Sequence, residues 1–289
     1  MIPASFEYHA PTSLEDALKL LGNLGDGAKL LAGGHSLLPA LKLRLQSVDH
    51  LIDIGRVASL RYVREQGGKI AIGALSTHHA IESNALVRDK CPLLAECAAQ
   101  IGDVQVRNRG TIGGSLSHAD PAADYPAAIL ALEAEIDATS AKGKRTIAAA
   151  DFFVDMLTTA LQPGEIITEV RVPVLAKGTG GTYLKVPQPA SGFAVVGVAA
   201  LVTLDGSSQV SKARIGVTGA AVKGYRALEA EKALAGKKSD ATAIKSAAAL
   251  ATKGIDTTGD IWASSEYRAH LTQVYAERAI TAAVARARG

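Results

Sequence analysis

The chain has 289 residues, of which 48% are hydrophobic and 20% charged, with a formal net charge of +3. This composition is typical of a well-packed protein with one large domain or two smaller ones. The small net charge and the scattered basic residues argue against nucleic-acid binding. No apolar stretch reaches the roughly 18 residues of a membrane span, which leaves only peripheral membrane contact open.

The N-terminus and the cysteines indicate a reducing compartment. The first residues lack the basic start and apolar core of a signal peptide. Two cysteines, Cys91 and Cys97, are too few for a disulfide framework or an iron–sulfur cluster. Both fall in one predicted helix and are interpreted as small core residues. We therefore expect the protein in the cytoplasm.

Helix and strand signals alternate in the first third of the chain. Thr12 and Glu15 have the spacing of a capping box, before a helix that runs to Gly22. A short buried strand over 29–32 leads into a glycine loop at 32–36 (AGGHS). Further elements in this α/β subdomain are a helix over 37–45 and a strand over 50–54.

A second α/β segment begins near residue 58. Its strand over 70–74 precedes helices over 77–82 and 86–101. The stretch 102–124 has no clear periodicity and contains a second glycine loop at 111–115 (TIGGS). Long irregular segments in compact domains are often functional. Further strands are predicted near 133–139, 145–147 and 165–172.

The glycine-rich stretch 177–181 (KGTGG) is interpreted as a linker at a domain boundary. Strands followed by alanine-rich helices come after it, which is typical of an α+β domain. The strands are predicted at 182–187, 194–204 and 210–218, and the helices at 225–235, 240–252 and 265–287.

The two glycine loops carry the chemistry. Paired glycines let a backbone approach a ligand closely, and exposed N–H groups beside a hydroxyl suit phosphate oxygens. The loops are about 80 residues apart and could close on one diphosphate from both sides. No P-loop and no G-x-S-x-G elbow is present, so the residues alone leave the phosphorylated ligand open.

The histidines give little sign of a metal site. His78 and His79 are adjacent, do not share a helix face, and are interpreted as surface residues. His35 and His118 lie in or near the glycine loops, where loop hydrogen bonding is favoured over redox chemistry.

Two charged positions have two readings each. Asp124, like Asp120, is either a turn former beside Pro121 or a carboxylate that accepts a hydrogen bond from a ribose or adenine group. Lys185 is either a solvated residue of an edge strand or a cation near an anionic ring or phosphate.

The motifs resemble a known family in order and spacing. They are 6–11 (FEYHAP), 32–39 (AGGHSLLP), 107–114 (RNRGTIGG) and 159–167 (TALQPGEII), with a closing Tyr267-Arg268. Together they resemble the flavin-binding medium subunit of molybdenum hydroxylases, of the carbon monoxide dehydrogenase type. The resemblance runs nearly end to end.

The resemblance implies an α+β fold. It consists of an FAD-binding domain of the p-cresol methylhydroxylase type, made of two α/β subdomains, and a C-terminal domain with a three-stranded antiparallel sheet and a helical bundle. On this chain the FAD-binding domain would cover 1–176, with subdomains at about 1–56 and 57–176. The C-terminal domain would cover 177–289.

The resemblance also implies site residues for non-covalent FAD. The two loops would hold the diphosphate, Ile101 would pack near the flavin, and Asp124 would bind the adenosine side. Leu161 and Lys185 would complete the pocket, and Phe193 would shield one flavin face. The residues so implied are Lys29, Leu30, Leu31, Ala32, Gly33, Gly34, His35, Ser36, Ile101, Thr111, Gly113, Gly114, Ser115, Asp124, Leu161 and Lys185.

The implied activity is electron transfer, with no catalytic residue and no metal ligand in this chain. A small partner subunit would carry two 2Fe–2S clusters and a large one the molybdenum cofactor, in a dimer of heterotrimers. The flavin would pass electrons from the clusters to an external acceptor. Two alternatives stay open: a self-contained flavin oxidase and a non-redox nucleotide-binding scaffold subunit.

Overall fold

The computed structural model describes residues 1–289, in three parts with one main sheet each. The first part has a three-stranded sheet in the order β1-β3-β2, in which both outer strands run parallel to β3. Its elements are β1 (Glu7–His9), α1 (Leu14–Leu24), β2 (Ala28–Leu31), α2 (Leu37–Lys42) and β3 (His50–Asp53), with single 3₁₀ turns at Gly25–Gly27, Ile54–Arg56 and Ala58–Leu60.

The parallel pairing places three chain exits at one edge of this sheet. The first glycine loop follows β2, and the turn Ile54–Arg56 follows β3. Ligands of open α/β sheets bind at the carboxyl ends of parallel strands. The first sheet therefore presents the 32–36 loop and Arg56 at the same edge.

Helix α1 begins one residue later than the sequence predicted. The side chain of Ser13, and not that of Thr12, accepts the backbone N–H of Asp16 at 3.1 Å. The expected pairing of Thr12 with Glu15 is therefore wrong, because the adjacent hydroxyl takes the capping position. From this start Ala17 is fully buried against the sheet.

The second part has a five-stranded antiparallel sheet in the order β4-β5-β10-β6-β7. Helices cover it and bury the largest hydrophobic cluster of the chain. Its elements are β4 (Val63–Gln66), β5 (Lys69–Gly73), α3 (His78–Glu82), α4 (Ala85–Lys90), α5 (Pro92–Ala99), α6 (Val104–Arg109), α7 (Ile112–His118), α8 (Tyr125–Ala131), β6 (Glu135–Ser140), β7 (Gly143–Ala148), α9 (Ala149–Phe152), β8 (Phe153–Asp155), β9 (Thr158–Thr159) and β10 (Ile166–Pro173).

Two predictions for this part are wrong. The helix expected over 86–101 is broken in two at Cys91, because Pro92 restricts the residue before it and begins a new helix. The stretch 102–124, expected to be irregular, contains α6 and α7. The two glycines of α7 interrupt its apolar periodicity, so the helix is not evident in the sequence.

The third part has the sheet β11-β12-β13-β14, in which three long antiparallel strands are followed by a fourth of two residues. Helices α10 to α12 cover one face. Its elements are β11 (Thr179–Pro187), β12 (Ala194–Leu204), β13 (Val210–Thr218), β14 (Tyr225–Arg226), α10 (Leu228–Leu234), α11 (Ala241–Ala248) and α12 (Ser265–Arg288). None of the helices has both the length and the apolar character needed to cross a membrane.

The stretch interpreted as a linker is largely strand. β11 begins at Thr179, and both Gly180 and Gly181 are buried in it. A Cβ on Gly180 would lie 2.1 Å from the carbonyl oxygen of Ala283 in α12. These glycines are therefore explained by close helix packing and not by flexibility.

Helix α8 joins the second part to the third. A Cβ on Gly216 of β13 would lie 2.0 Å from the carbonyl oxygen of Ala127. The hydroxyl of Thr218 donates to the carbonyl of Ala123 at 2.7 Å. Just after α8, Glu133 accepts hydrogen bonds from Arg214 and Lys212, each at 2.7 Å. Helix α8 is thereby fixed against β13 along its length and just beyond both of its ends.

Candidate cofactor site

The two glycine loops lie directly against each other. A Cβ on Gly33 would lie 2.3 Å from the carbonyl oxygen of Arg109, and one on Gly114 would lie 3.8 Å from the Cβ of Ala32. One loop belongs to the first sheet and the other to the helical layer on the second. The fold therefore brings the 32–36 and 111–115 segments together, and it does so through glycine.

The first loop offers unpaired donors. The backbone N–H groups of Gly33, Gly34 and His35 donate to no protein acceptor, and the hydroxyl of Ser36 forms no capping bond. Gly34 has φ +82°, a left-handed conformation that favours glycine. Successive free N–H groups in a bent loop form a concave anion site. This loop has the donor pattern that the sequence predicted.

The second loop is built differently. It is the first turn of α7, where Thr111 Oγ1 accepts the N–H of Gly114 at 3.1 Å. The N–H of Gly113 donates to the carbonyl of Ala74 at 2.9 Å. The expectation that both paired glycines present N–H groups to a phosphate is therefore wrong for this loop. The donors left to it are the backbone N–H of Thr111 and the hydroxyls of Thr111 and Ser115.

Gly113 has a packing role. A Cβ there would lie 2.6 Å from the Cβ of Ala74 and 2.8 Å from the Ala74 carbonyl oxygen. Real Cβ atoms do not approach other atoms so closely. Gly113 therefore allows α7 to sit on the end of β5, which fixes the height of the second loop.

A cavity of about 190 Å³ opens beside Ala32 of the first loop and Thr111 of the second, and we name it the arginine cavity. Arg56 and Arg109 line it and form no ion pair or side-chain hydrogen bond. The carboxylate of Asp53 already accepts from the Tyr8 hydroxyl at 2.6 Å and the Gly55 N–H at 2.8 Å. The cavity is therefore net positive. Its lining is Ala32, Asp53, Gly55, Arg56, Arg61, Leu75, Thr77, Asn108, Arg109 and Thr111.

Sequence reasoning missed Arg56 and Arg61. The available signal was position, because Arg56 lies three residues beyond the carboxyl end of a parallel strand. Arg109 was noticed only as part of a motif.

His78 supports the second loop from below. It is buried, and its backbone N–H donates to the carbonyl of Gly110 at 3.0 Å. Its Nδ1 lies 3.3 Å from the Tyr125 hydroxyl oxygen. Burial lowers the pKa of His78 to about 4, helped by nearby His35 and Arg107. The interpretation of His78 as a surface residue is wrong, because α3 packs inward, whereas His79 is exposed.

Lys185 is buried and joins three segments of the chain, and we call this set of contacts the clamp. Its Nζ lies 2.9 Å from Asp124 Oδ1, and it donates to the carbonyls of Gln100 at 2.7 Å and Gly192 at 2.6 Å. An ammonium has three hydrogens, and all three are used here. The interpretation as a solvated edge residue is wrong, since only 5% of this side chain is exposed.

Asp124 is held inside the protein by the same clamp. Its Oδ1 also accepts the Tyr183 hydroxyl at 2.6 Å. Burial raises the pKa of the Asp124 carboxyl, and Lys185 and Tyr183 oppose the rise. A contact with the adenosine side of a cofactor stays a prediction. In the structure, the Asp124 carboxylate orients the Lys185 ammonium.

The other predicted positions lie on neighbouring segments. Lys29 is exposed on β2, and Leu30 and Leu31 are half-buried beside it. Ile101 and Leu161 are both half-buried against the main core. The segment from Gln100 to Gly110 connects Lys185 with the first glycine loop. Lys185 donates to the carbonyl of Gln100 at one end, and Gly33 packs against Gly110 at the other.

Phe193 lies in the loop that Lys185 fixes through Gly192. Its side chain is 42% exposed and lines a second cavity of about 330 Å³ with Trp262 and Arg268. The structure thus places an exposed aromatic ring at the end of the clamped loop.

Family models cover nearly the whole chain. A model for the FAD binding domain in molybdopterin dehydrogenase matches residues 4–175, and one for the CO dehydrogenase flavoprotein C-terminal domain matches 181–283. The chain is 41% identical to the carbon monoxide dehydrogenase medium chain of Hydrogenophaga pseudoflava, covering 99% of each. It is 40% identical to the 6-hydroxypseudooxynicotine dehydrogenase complex subunit alpha of Paenarthrobacter nicotinovorans, covering 100% of this chain and 97% of the relative.

A solved structure agrees with these matches. The carbon monoxide dehydrogenase from Hydrogenophaga pseudoflava has a chain that superposes with a TM-score of 0.96 at 43% identity. The superposition covers 99% of both chains.

Gly33→Ala is expected to separate the two loops. Its Cβ would meet the Arg109 carbonyl, so we expect a loss of about 1–3 kcal/mol in the free energy of unfolding together with lower flavin content. Melting curves and the visible absorbance of the purified protein measure both. Valine at Gly33 or Gly113 is expected to disturb the fold as well, since protein atoms and not only a ligand fill the space beside these glycines.

Gly22→Ala is the matched control for that substitution. Gly22 is exposed in α1 with nothing within 4 Å of its Cβ position, so alanine should stabilise the helix by roughly 0.5–1 kcal/mol and leave the flavin content unchanged. Equal stability and flavin content in Gly33→Ala and the parent would contradict the close approach of the loops.

Lys185→Met is expected to leave Asp124 as an uncompensated buried carboxylate. Breaking one partner of a buried pair costs about 3–5 kcal/mol, measurable by urea unfolding. The double variant with Asp124→Asn should recover part of that loss, because the stranded charge is gone. If the single variant is as stable as the parent, the buried ion pair contributes nothing to the free energy of unfolding. Lys19→Met, in an exposed pair whose partner Glu15 is 77% exposed, is the control.

Proposed function

The chain belongs to the family of FAD-binding flavoproteins of molybdopterin dehydrogenases, and on that premise we propose that its two loops and the arginine cavity hold the diphosphate of FAD. The contact between Gly33 and the Arg109 carbonyl supports this most directly. It brings the loop that carries the free N–H groups directly against the segment that leads into the second loop.

Charge supports the same assignment. A diphosphate carries negative charge, and the arginine cavity has guanidinium groups at Arg56 and Arg109 without partners. Guanidinium groups match phosphate oxygens in geometry and keep their charge at every working pH. The N–H groups of Gly33 to His35 add directional donors.

Within this proposal, the residues around Lys185 position the site. The clamp holds Gly192, and with it the loop that carries Phe193, at a fixed distance from Gln100 and Ile101. Ile101, Leu161 and Phe193 would then provide apolar surface for the flavin ring. Lys29, Leu30 and Leu31 would line the approach to the first loop.

The chain is the flavoprotein subunit of a molybdenum-containing oxidoreductase complex. FAD, when bound, supplies the redox chemistry, and the protein provides binding, orientation and electrostatics. We infer that electrons arrive from the iron–sulfur clusters of a small subunit and leave to an external acceptor. A large subunit would carry the molybdenum cofactor, in a cytoplasmic dimer of heterotrimers.

The cysteines of this chain support a division of labour among subunits. Cluster ligands are thiolates, but Cys91 and Cys97 are fully buried. Burial raises the pKa of the Cys91 thiol to about 12 and that of Cys97 well above its usual value. Substrate choice would also lie elsewhere, because the two relatives are named for substrates as unlike as carbon monoxide and 6-hydroxypseudooxynicotine.

The chain expressed alone and mixed with FAD is expected to become yellow, to quench flavin fluorescence and to bleach with a chemical reductant. It should not oxidise any substrate until the partner subunits are added. A colourless chain that takes up no FAD would overturn the proposed site. Turnover of a small alcohol or phenol by the chain alone would instead identify a self-contained oxidase.

A further inference from the structure

Three metal-ligating side chains converge at the edge of the first sheet where β1 pairs with β3. They are Glu7 and His9 of β1 and His50 of β3. One ligand atom from each lies within 4.8 Å of the other two. Nothing in the proposed FAD site uses these groups.

The backbone dictates this convergence. Glu7 and His9 are two residues apart on a strand, so their side chains point to the same face. Glu7 and His50 are direct partners in the parallel pairing of β1 with β3. Tyr8, between the two ligands, points the other way and donates its hydroxyl to Asp53. Strand register therefore places the three side chains next to one another.

The distances fit one small ion. His9 Nε2 lies 3.3 Å from His50 Nδ1, His50 Nδ1 lies 3.2 Å from a Glu7 carboxylate oxygen, and that oxygen lies 4.0 Å from His9 Nε2. An ion in the plane of these three atoms lies about 2.1 Å from each, the length of zinc–nitrogen and zinc–carboxylate bonds, and a tetrahedral site requires only that the exposed Glu7 side chain move closer to His9.

Charge and access agree with a cation site. The Glu7 carboxylate pairs with no lysine or arginine, and its only ionic neighbours are the two imidazoles. The histidine side chains are 26% and 24% exposed and that of Glu7 is 74% exposed, so an ion can enter from solvent. Two imidazoles and a carboxylate are a ligand set for zinc and neighbouring transition metals, and not for magnesium or calcium.

We propose that Glu7, His9 and His50 form a zinc site that fastens the N-terminal strand to β3. Three protein ligands leave a fourth position for water. The ion links residues 41 apart in the chain, and β1 is the edge strand of a small sheet. Bound zinc is therefore expected to resist fraying of β1.

Titration of the chelator-treated full chain with zinc chloride tests this, followed by calorimetry and thermal melting. We expect one ion per chain and a higher melting temperature with zinc. His9→Asn and His50→Asn should each weaken binding at least about tenfold, and Glu7→Gln should do the same at an exposed position that leaves the fold intact. His270→Asn, at an exposed histidine of α12, should bind zinc as the parent does.

Cobalt gives a readout of the ligands themselves. Cobalt added to the parent should show visible absorption of a four-coordinate site, and the double variant of His9 and His50 should not. Flavin content should be equal in all these variants, which separates this site from the FAD site. The proposal fails if zinc does not saturate at one ion per chain, or if the double variant binds it with unchanged affinity.

Discussion

The contact of Gly33 with the carbonyl of Arg109 is the constraint on which the site depends. The two loops come from different sheets, and no side chain fits between them. Because both backbones meet directly, the free donors at the carboxyl edge of the parallel sheet lie close to the start of α7. Arg109 gains a second role from this contact, since its carbonyl faces Gly33 while the residue lines the cavity.

A second constraint ties the C-terminal sheet to that space. Lys185 lies on β11, but its three acceptors belong to Gln100, Gly192 and Asp124. Its ammonium thus joins the segment leading to the second loop, the segment before α8 and the loop of Phe193. A buried ion pair of this kind contributes positional definition more than net stability, because desolvation offsets much of its attraction.

The parts of this picture that depend on local sequence could be predicted. The glycine loops, most strands and the order of helices follow from periodicity and from residues such as Gly34, which has a left-handed backbone. The break at Pro92 was also available from the sequence, because proline restricts the residue before it. The assignment of individual FAD contacts and the division at residues 176 and 177 stay predictions.

Long-range contacts could not be predicted in the same way. Lys185 and Gln100 are 85 residues apart, and no local pattern shows that an edge-strand lysine is fully used inside the protein. The burial of His78 depends on how α3 packs, and the capture of the Gly113 N–H depends on the end of β5. The sequence predicted a surface position for His78 and a ligand contact for Gly113. In the structure, tertiary packing makes both residues support the second loop.

The affinity of the chain for FAD compared with riboflavin, which lacks the diphosphate, tests the central claim most directly. In a variant that combines Arg56→Met and Arg109→Met, FAD should bind at least about a hundredfold more weakly, since charged hydrogen bonds contribute about 1.5–3 kcal/mol each and two arginines are lost. Riboflavin should bind as it does to the parent. Unchanged FAD affinity, or an equal loss for both ligands, would contradict a diphosphate held between the loops.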